Sequence, residues 1–178
     1  MKGFRHVLQG EADRALMLKP AFRNGIAALQ EFGFTYDILI FPDQIPFSTQ
    51  LVTQFPGQPF VLDHIAKPYI KKGKITEWKK DIWALSRHAN VYCKVSGMVT
   101  EADWNNWKPY EFRPYLDVVV EAFGVGRLLY GSDWPVCNVA GGYDAMLELV
   151  QDYFAAFSAA EQEAIFGGNA VRFYKIDT

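Results

Sequence analysis

Two side chains capable of acid–base chemistry follow short apolar runs in this sequence. Asp133 comes after the run that begins at Leu128, and His64 comes after Phe60 and its apolar neighbours. A short apolar run bounded by Gly or Pro is typical of a buried parallel strand, and the C-terminal ends of such strands carry the catalytic groups of α/β proteins. A carboxylate can take a proton from water, and an imidazole can polarise a carbonyl group. We therefore predict that Asp133 and His64 are catalytic residues on one rim.

Other readings of these residues stay open. Asp133 could simply cap the turn that follows its strand, and a lone histidine is often a hydrogen-bonded structural residue. Polar or amphipathic groups on the same presumed rim are weaker candidates for substrate contacts; they are Lys67, Lys94, Trp134 and Asn138.

Composition excludes several classes of protein. The 178 residues are 50% hydrophobic with a net charge of −2, which suits one domain with a large core. The basic cluster at Lys71, Lys72 and Lys74 is short and predicts a solvated loop, so we expect no nucleic-acid partner. We find no apolar stretch of about 18 residues and no signal-peptide core, so we expect no membrane contact and a cytoplasmic location. Two cysteines are too few for a disulfide scaffold, so we expect both thiols to be reduced.

Strand and helix patterns alternate along the whole chain. We predict strands over residues 3–9, 36–41, 60–63 and 91–95 and a fifth from residue 128, with helices between and after them. Pro20 opens the first helix and Gly33 closes it, and Ser158 and Glu161 have the spacing of a capping box. Helical crossovers of this length imply a parallel sheet, either doubly wound or a barrel. No Gly-rich loop follows a strand, which disfavours a dinucleotide site.

Four sequence blocks carry a resemblance to a known family. The chain resembles the amidohydrolase-2 family, and most closely its sugar-lactone hydrolase branch, which includes fuconolactonase, rhamnonolactonase and pyrone-dicarboxylate lactonase relatives. The blocks occur in the family's order across essentially the whole chain; they are VLDHIAKP from Val61, KVSGM from Lys94, YGSDWPVC from Tyr130 and GNAVRFY from Gly168.

The resemblance implies an α/β fold, a TIM (β/α)8 barrel of which this chain carries strands four to eight. Strands one to three and their His-x-His pair are missing, and 178 residues fall short of the roughly 250 that are typical of such a barrel. We therefore expect residues 1–178 to form a single incomplete barrel domain. The resemblance also implies a divalent metal such as zinc, with His64 and Asp133 as ligands if a metal is used. Two ligands hold zinc poorly, so the absence of the His-x-His pair leaves the need for a metal open.

The resemblance implies that the chain is a hydrolase with a small-molecule substrate, a sugar-acid lactone or a related carboxylic acid. Water would attack the ester carbonyl group, with Asp133 as general base. The missing strand puts the activity of the chain by itself in doubt. The alternatives are a decarboxylase of the same superfamily and a non-enzymatic assembly module. Because five strands cannot close an eight-stranded ring, we expect too little packing around inward side chains and self-association through the open edges; the side chains are Leu8, Ile38, Val61 and Val91.

Overall fold

A five-stranded parallel sheet forms the centre of the computed structural model, which describes residues 1–177. The strands lie side by side in chain order, and every neighbouring pair is parallel. Their bounds are β1 Gly3–His6, β2 Thr35–Ile38, β3 Phe60–Leu62, β4 Val91–Val95 and β5 Leu128–Tyr130. The predicted parallel α/β fold is confirmed. All five carboxyl ends therefore lie along one edge of the sheet.

Within residues 1–177, seven α-helices alternate with the strands or follow the last one. They are α1 Pro20–Glu31, α2 Ile45–Gln54, α3 Thr76–Ser86, α4 Arg113–Phe123, α5 Gly142–Phe154, α6 Ala159–Glu163 and α7 Asn169–Tyr174. Pro20 opens α1, and Ser158 and Glu161 cap α6 reciprocally, both as predicted. The first two strands are shorter than predicted. After β1 the backbone turns into a 3₁₀ helix at Leu8–Gly10, which ends the ladder.

One face of the sheet is covered by α1 to α5. Ile38, Leu62 and Cys93 point to this face and are fully buried in one apolar cluster, together with residues of the covering helices such as Leu51 and Ile82. The core on this face is continuous because alternate residues of each strand point to it. It accounts for most of the buried apolar surface.

The opposite face, which we call the inner face, is covered in part by α7. Val61 and Leu129 pack there against Phe173, with Tyr92 and Tyr174 at the margin. The expectation that inward side chains lack packing is wrong for all four residues named above, since each is fully buried. Leu8, Ile38 and Val91 belong to the helix-covered cluster. Val61 does point inward, but α7 shields it.

The sheet has two edges that pair with no other strand among residues 1–177. β1 pairs with β2 alone, and β5 pairs with β4 alone. Near the β1 edge, Phe4 and Val7 are 41% and 53% exposed. None of the helices in the described chain is long and apolar enough to cross a bilayer.

Asn169, in the GNAVRFY block, joins α7 to the start of β5. Its side chain is fully buried, and its amide nitrogen donates to the carbonyl oxygens of Val125 and Leu128 at 2.8 and 2.6 Å. Its own carbonyl oxygen accepts from Arg172. The asparagine thus anchors the helix that shields the inner face.

We predict that Asn169→Ala lowers the free energy of unfolding by about 1–3 kcal/mol, because it leaves buried carbonyl groups without their donor. Urea unfolding followed by circular dichroism measures the change. Asn106→Ala, at an exposed position, is the matched control and is expected to fall within about 0.5 kcal/mol of the unsubstituted chain. Equal midpoints for the two variants would contradict the anchoring role.

Candidate active site

Three polar side chains meet where β3, β4 and β5 end. The imidazole Nε2 of His64 lies 3.5 Å from Oδ1 of Asp133, and its Nδ1 lies 2.8 Å from Oγ of Ser96. The His64 and Asp133 side chains are each 11% exposed, and Ser96 is almost fully buried. The parallel alignment of the strands brings these groups together although they are far apart in sequence.

A left-handed turn fixes the direction of the His64 side chain. Four consecutive residues, none of them glycine, have positive φ angles between 45° and 58°; they are His64, Ile65, Ala66 and Lys67. Such backbone is strained and persists only where surrounding contacts enforce it. The indole nitrogen of Trp78 donates to the Ile65 carbonyl oxygen at 2.8 Å, and Lys67 forms a 2.5 Å ion pair with Glu101. These two contacts, from α3 and from the segment after β4, hold the turn in place.

Gly97 leaves room for the imidazole ring. Its φ is +62°, and a Cβ at this position would come within 2.7 Å of the His64 ring. A side chain at residue 97 would therefore displace the imidazole. The glycine of the KVSGM block is required by this close approach as well as by its backbone conformation.

The electrostatic surroundings favour a neutral imidazole. Burial lowers the pKa of His64, and this effect outweighs the charges of Asp63 and Asp133, which would raise it. Burial also raises the pKa of the Cys137 thiol, and the nearby charge of Asp133 adds to the effect. Cys137 therefore stays protonated at neutral pH and is poorly suited to act as a nucleophile. Both cysteines are free and buried.

The inner face carries a group of paired charges, which we call the inner charge cluster: Arg5, Asp37, Asp63, Lys94 and Tyr174. The Lys94 ammonium lies 2.5 Å from Asp37 and 2.8 Å from Asp63. Arg5 donates to Asp63 at 3.1 Å, and the Tyr174 hydroxyl donates to Asp37 at 2.9 Å. Burial lowers the pKa of Lys94, but the two carboxylates outweigh it and raise the pKa overall. Lys94 therefore stays protonated, and its ammonium group lies beside Asp63, the residue before His64.

The predicted substrate contacts have different surroundings. Lys94 belongs to the inner charge cluster, and Lys67 is paired with Glu101, so neither ammonium group is free of a carboxylate. Trp134 is 67% exposed, and Asn138 is also exposed. The Trp107 indole donates to the Ala140 carbonyl oxygen at 2.8 Å, which ties the loop after β4 to the loop that follows Asp133.

The described residues supply two candidate metal ligands at this site. His64 and Asp133 are close together, but no group of three or more His, Cys, Asp or Glu side chains in residues 1–177 is arranged to hold an ion. Catalytic zinc has three protein ligands as a rule. The residues present therefore do not form a zinc site by themselves.

Several residues of the site received no role from the sequence. Ser96 and Gly97 lie in the KVSGM block, but the sequence pattern predicts no role for either residue. It also predicts no role for Arg5 or Asp37. One signal was available: charged residues occupy alternate positions of otherwise apolar strands, as Lys94 does between Cys93 and Val95. In a buried parallel sheet such alternation indicates a polar inner face.

We predict that Gly97→Ala destabilises the fold by about 1–3 kcal/mol more than Gly73→Ala does, because of the additional clash with the His64 ring. Gly73 has a similar φ of +60°, but no described atom lies within 4 Å of a Cβ built there. The pair therefore separates backbone strain from the steric contact. Chemical denaturation of both variants measures the difference, and equal losses would show that the ring can yield without cost.

The amidohydrolase family model Amidohydro_2 matches residues 1–176. The chain is 38% identical to an L-fucono-1,5-lactonase of Burkholderia multivorans, covering 99% of this chain and 63% of that protein, and 35% identical to one of Burkholderia ambifaria, covering 99% and 62%. A crystal structure of a B. multivorans amidohydrolase with bound Zn superposes with a TM-score of 0.95 at 38% identity, covering 99% of this chain and 65% of that one. The chain thus spans less than two thirds of the length of these relatives. By the match over nearly its whole length, the chain belongs to the amidohydrolase-2 family.

Proposed function

We propose that the site hydrolyses a sugar-acid lactone. The observation that carries the proposal is the 3.5 Å approach of His64 to Asp133 at the carboxyl ends of the strands. This arrangement sets a carboxylate and an imidazole side by side, so that both can face the carbonyl group of one bound molecule. The substrate class is supported by the two lactonases of Burkholderia, which are more than a third identical to this chain.

In this mechanism Asp133 accepts a proton from a water molecule, whose oxygen adds to the lactone carbonyl carbon. The carbonyl π electrons move to the oxygen, and His64 stabilises the developing negative charge. Collapse of the tetrahedral intermediate breaks the bond to the ring oxygen. The proton held by Asp133 passes to the leaving alkoxide, so that the product is an open-chain hydroxy acid and Asp133 is again a carboxylate.

Substrate contacts are proposed for four residues of the same rim. Trp134 and Asn138 are exposed beside Asp133 and could stack on, or hydrogen-bond to, a polyhydroxylated ring. Lys67 and Lys94 would act from within their ion pairs, Lys67 with Glu101 and Lys94 with the inner charge cluster. Their donors are thereby held in fixed directions.

We further propose that the five strands correspond to strands four to eight of a (β/α)8 barrel and form a single domain. The chain-order parallel sheet, the polar inner face and the two unpaired edges support this assignment. Barrel closure would place further groups opposite His64 and Asp133. A divalent ion such as zinc, as bound in the B. multivorans structure, would require ligands beyond these two side chains.

The other functions considered have less support. No specific feature of the site favours decarboxylation over hydrolysis, and the curated relatives above 33% identity are lactonases by name. A purely structural assembly module would not need His64 in a strained turn facing Asp133.

We predict that Asp133→Asn reduces kcat for hydrolysis of L-fucono-1,5-lactone by about 10²–10⁴-fold, since an amide cannot accept the proton from water. Acid release measured with a pH indicator gives the rate. Asp144→Asn, at an exposed position at the start of α5, is the matched control and should retain the full rate. Equal activity of the two variants would remove Asp133 from the mechanism, and a folded chain without lactone hydrolysis would reject the proposed reaction.

We predict that the purified 178-residue chain associates with itself, because the backbone groups on the outer edge of β1 pair with no other described strand and can pair with a second copy. Size-exclusion chromatography with light scattering measures the mass. Replacing the exposed Phe4 near the β1 edge with Lys should shift the distribution toward the monomer. A monomer that unfolds in a single cooperative transition at high temperature would contradict this prediction.

A further inference from the structure

Ser96 contacts the side of the His64 ring that faces away from Asp133. Its Oγ lies 2.8 Å from Nδ1, and the serine is 1% exposed at the end of β4. Gly131 packs closely behind it, since a Cβ at residue 131 would lie 3.1 Å from the Ser96 Cβ. The hydroxyl is therefore confined to the space beside the imidazole.

The hydrogen-bond partners distinguish between the two neutral forms of the ring. Each form carries one N–H, on either Nδ1 or Nε2. A proton on Nδ1 would be donated to Ser96, which would leave the serine hydroxyl without an acceptor among the described residues. It would also leave the lone pair of Nε2 facing a carboxylate oxygen of Asp133 at 3.5 Å.

A proton on Nε2 suits both neighbours. The Ser96 hydroxyl then donates to Nδ1, and the Nε2–H lies on the side of the ring nearer to the Asp133 carboxylate, whose charge attracts it at 3.5 Å. Since buried polar groups are as a rule hydrogen-bonded, this arrangement is the favoured one. The ring is also sterically confined, because the site of a Cβ on Gly97 lies within 2.7 Å of it.

We propose that Ser96 is a positioning residue that holds His64 in the Nε2–H form and directs this N–H into the space beside Asp133. The catalytic consequence rests on the proposed lactone hydrolysis. There His64 donates a hydrogen bond to the carbonyl oxygen of the bound lactone, while Asp133 alone accepts the proton from water. The serine thereby separates the role of donor from the role of base.

Nitrogen-15 NMR of the histidine side chains tests the assignment directly. Spectra are recorded at about pH 8, above the usual imidazole pKa of about 6.5. The His64 signals are those that disappear in His64→Gln. In the unsubstituted chain we expect the shifts of an unprotonated Nδ1 and a protonated Nε2. In Ser96→Ala we expect the shifts to move toward a mixture of the two neutral forms.

Kinetics provide the second measurement. Loss of a residue that orients a histidine typically reduces activity about 10–100-fold, and we expect Ser96→Ala to lower kcat in this range with little change in KM. Ser48→Ala is the matched control, because Ser48 is also fully buried but donates to a backbone carbonyl oxygen within α2.

The results separate this inference from the proposed reaction. A His64 spectrum with a protonated Nδ1 in the unsubstituted chain would overturn the role of Ser96, even if Ser96→Ala fails to fold. A spectrum and a kcat for Ser96→Ala that equal those of the unsubstituted chain would overturn it as well. An Nε2–H spectrum in a folded chain that does not hydrolyse lactones would reject the reaction and retain the assignment of the tautomer.

Discussion

The left-handed turn from His64 to Lys67 is the constraint on which the rest of the site depends. A non-glycine residue in this region of backbone conformation costs on the order of 1–3 kcal/mol, and four of them occur in succession here. The cost is tolerated because other elements hold the turn: Trp78 of α3 binds the Ile65 carbonyl group, and Glu101 pairs with Lys67. The turn changes the direction of the chain after β3, so that the His64 imidazole faces Asp133 across the end of β4. A side chain on a straight continuation of the strand would instead point to one face of the sheet.

The two faces of the sheet differ in composition. The helix-covered face holds nearly all of the apolar core, whereas the inner face carries the inner charge cluster next to His64 and Asp133. Buried ion pairs contribute little net stability, because desolvation of the charges offsets their attraction. Removing one partner is nevertheless costly, since the other is left buried and unpaired. The cluster therefore fixes the geometry of the inner face more than it strengthens the fold.

Much of the fold could be predicted from the sequence because its elements are locally encoded. β4 is predicted with its observed bounds, and Pro20 and Ser158 mark helix starts by their capping chemistry alone. The side-chain faces were predicted less well. Ile38 and Val91 were assigned to the inner face but lie against helices, because an apolar residue in a doubly buried strand carries no mark of the side to which it points. The GNAVRFY block, which contains α7, is identified in the sequence, but nothing in the sequence predicts that this helix covers the inner face.

The sequence by itself determined the alternation of strands and helices, the parallel sheet and the family, because these depend on local periodicity and on motifs that stand in a fixed order. It also nominated His64 and Asp133, since each follows an apolar strand. Only the tertiary structure decided that Ser96 lies against Nδ1, that Gly97 makes room for the ring, and that Lys94 is held by a carboxylate of β2 and by one just after β3. These contacts join residues of different strands at distances of a few ångströms. The register between strands and the direction of each side chain, which set such distances, arise from packing of the whole chain and are not encoded in any one segment.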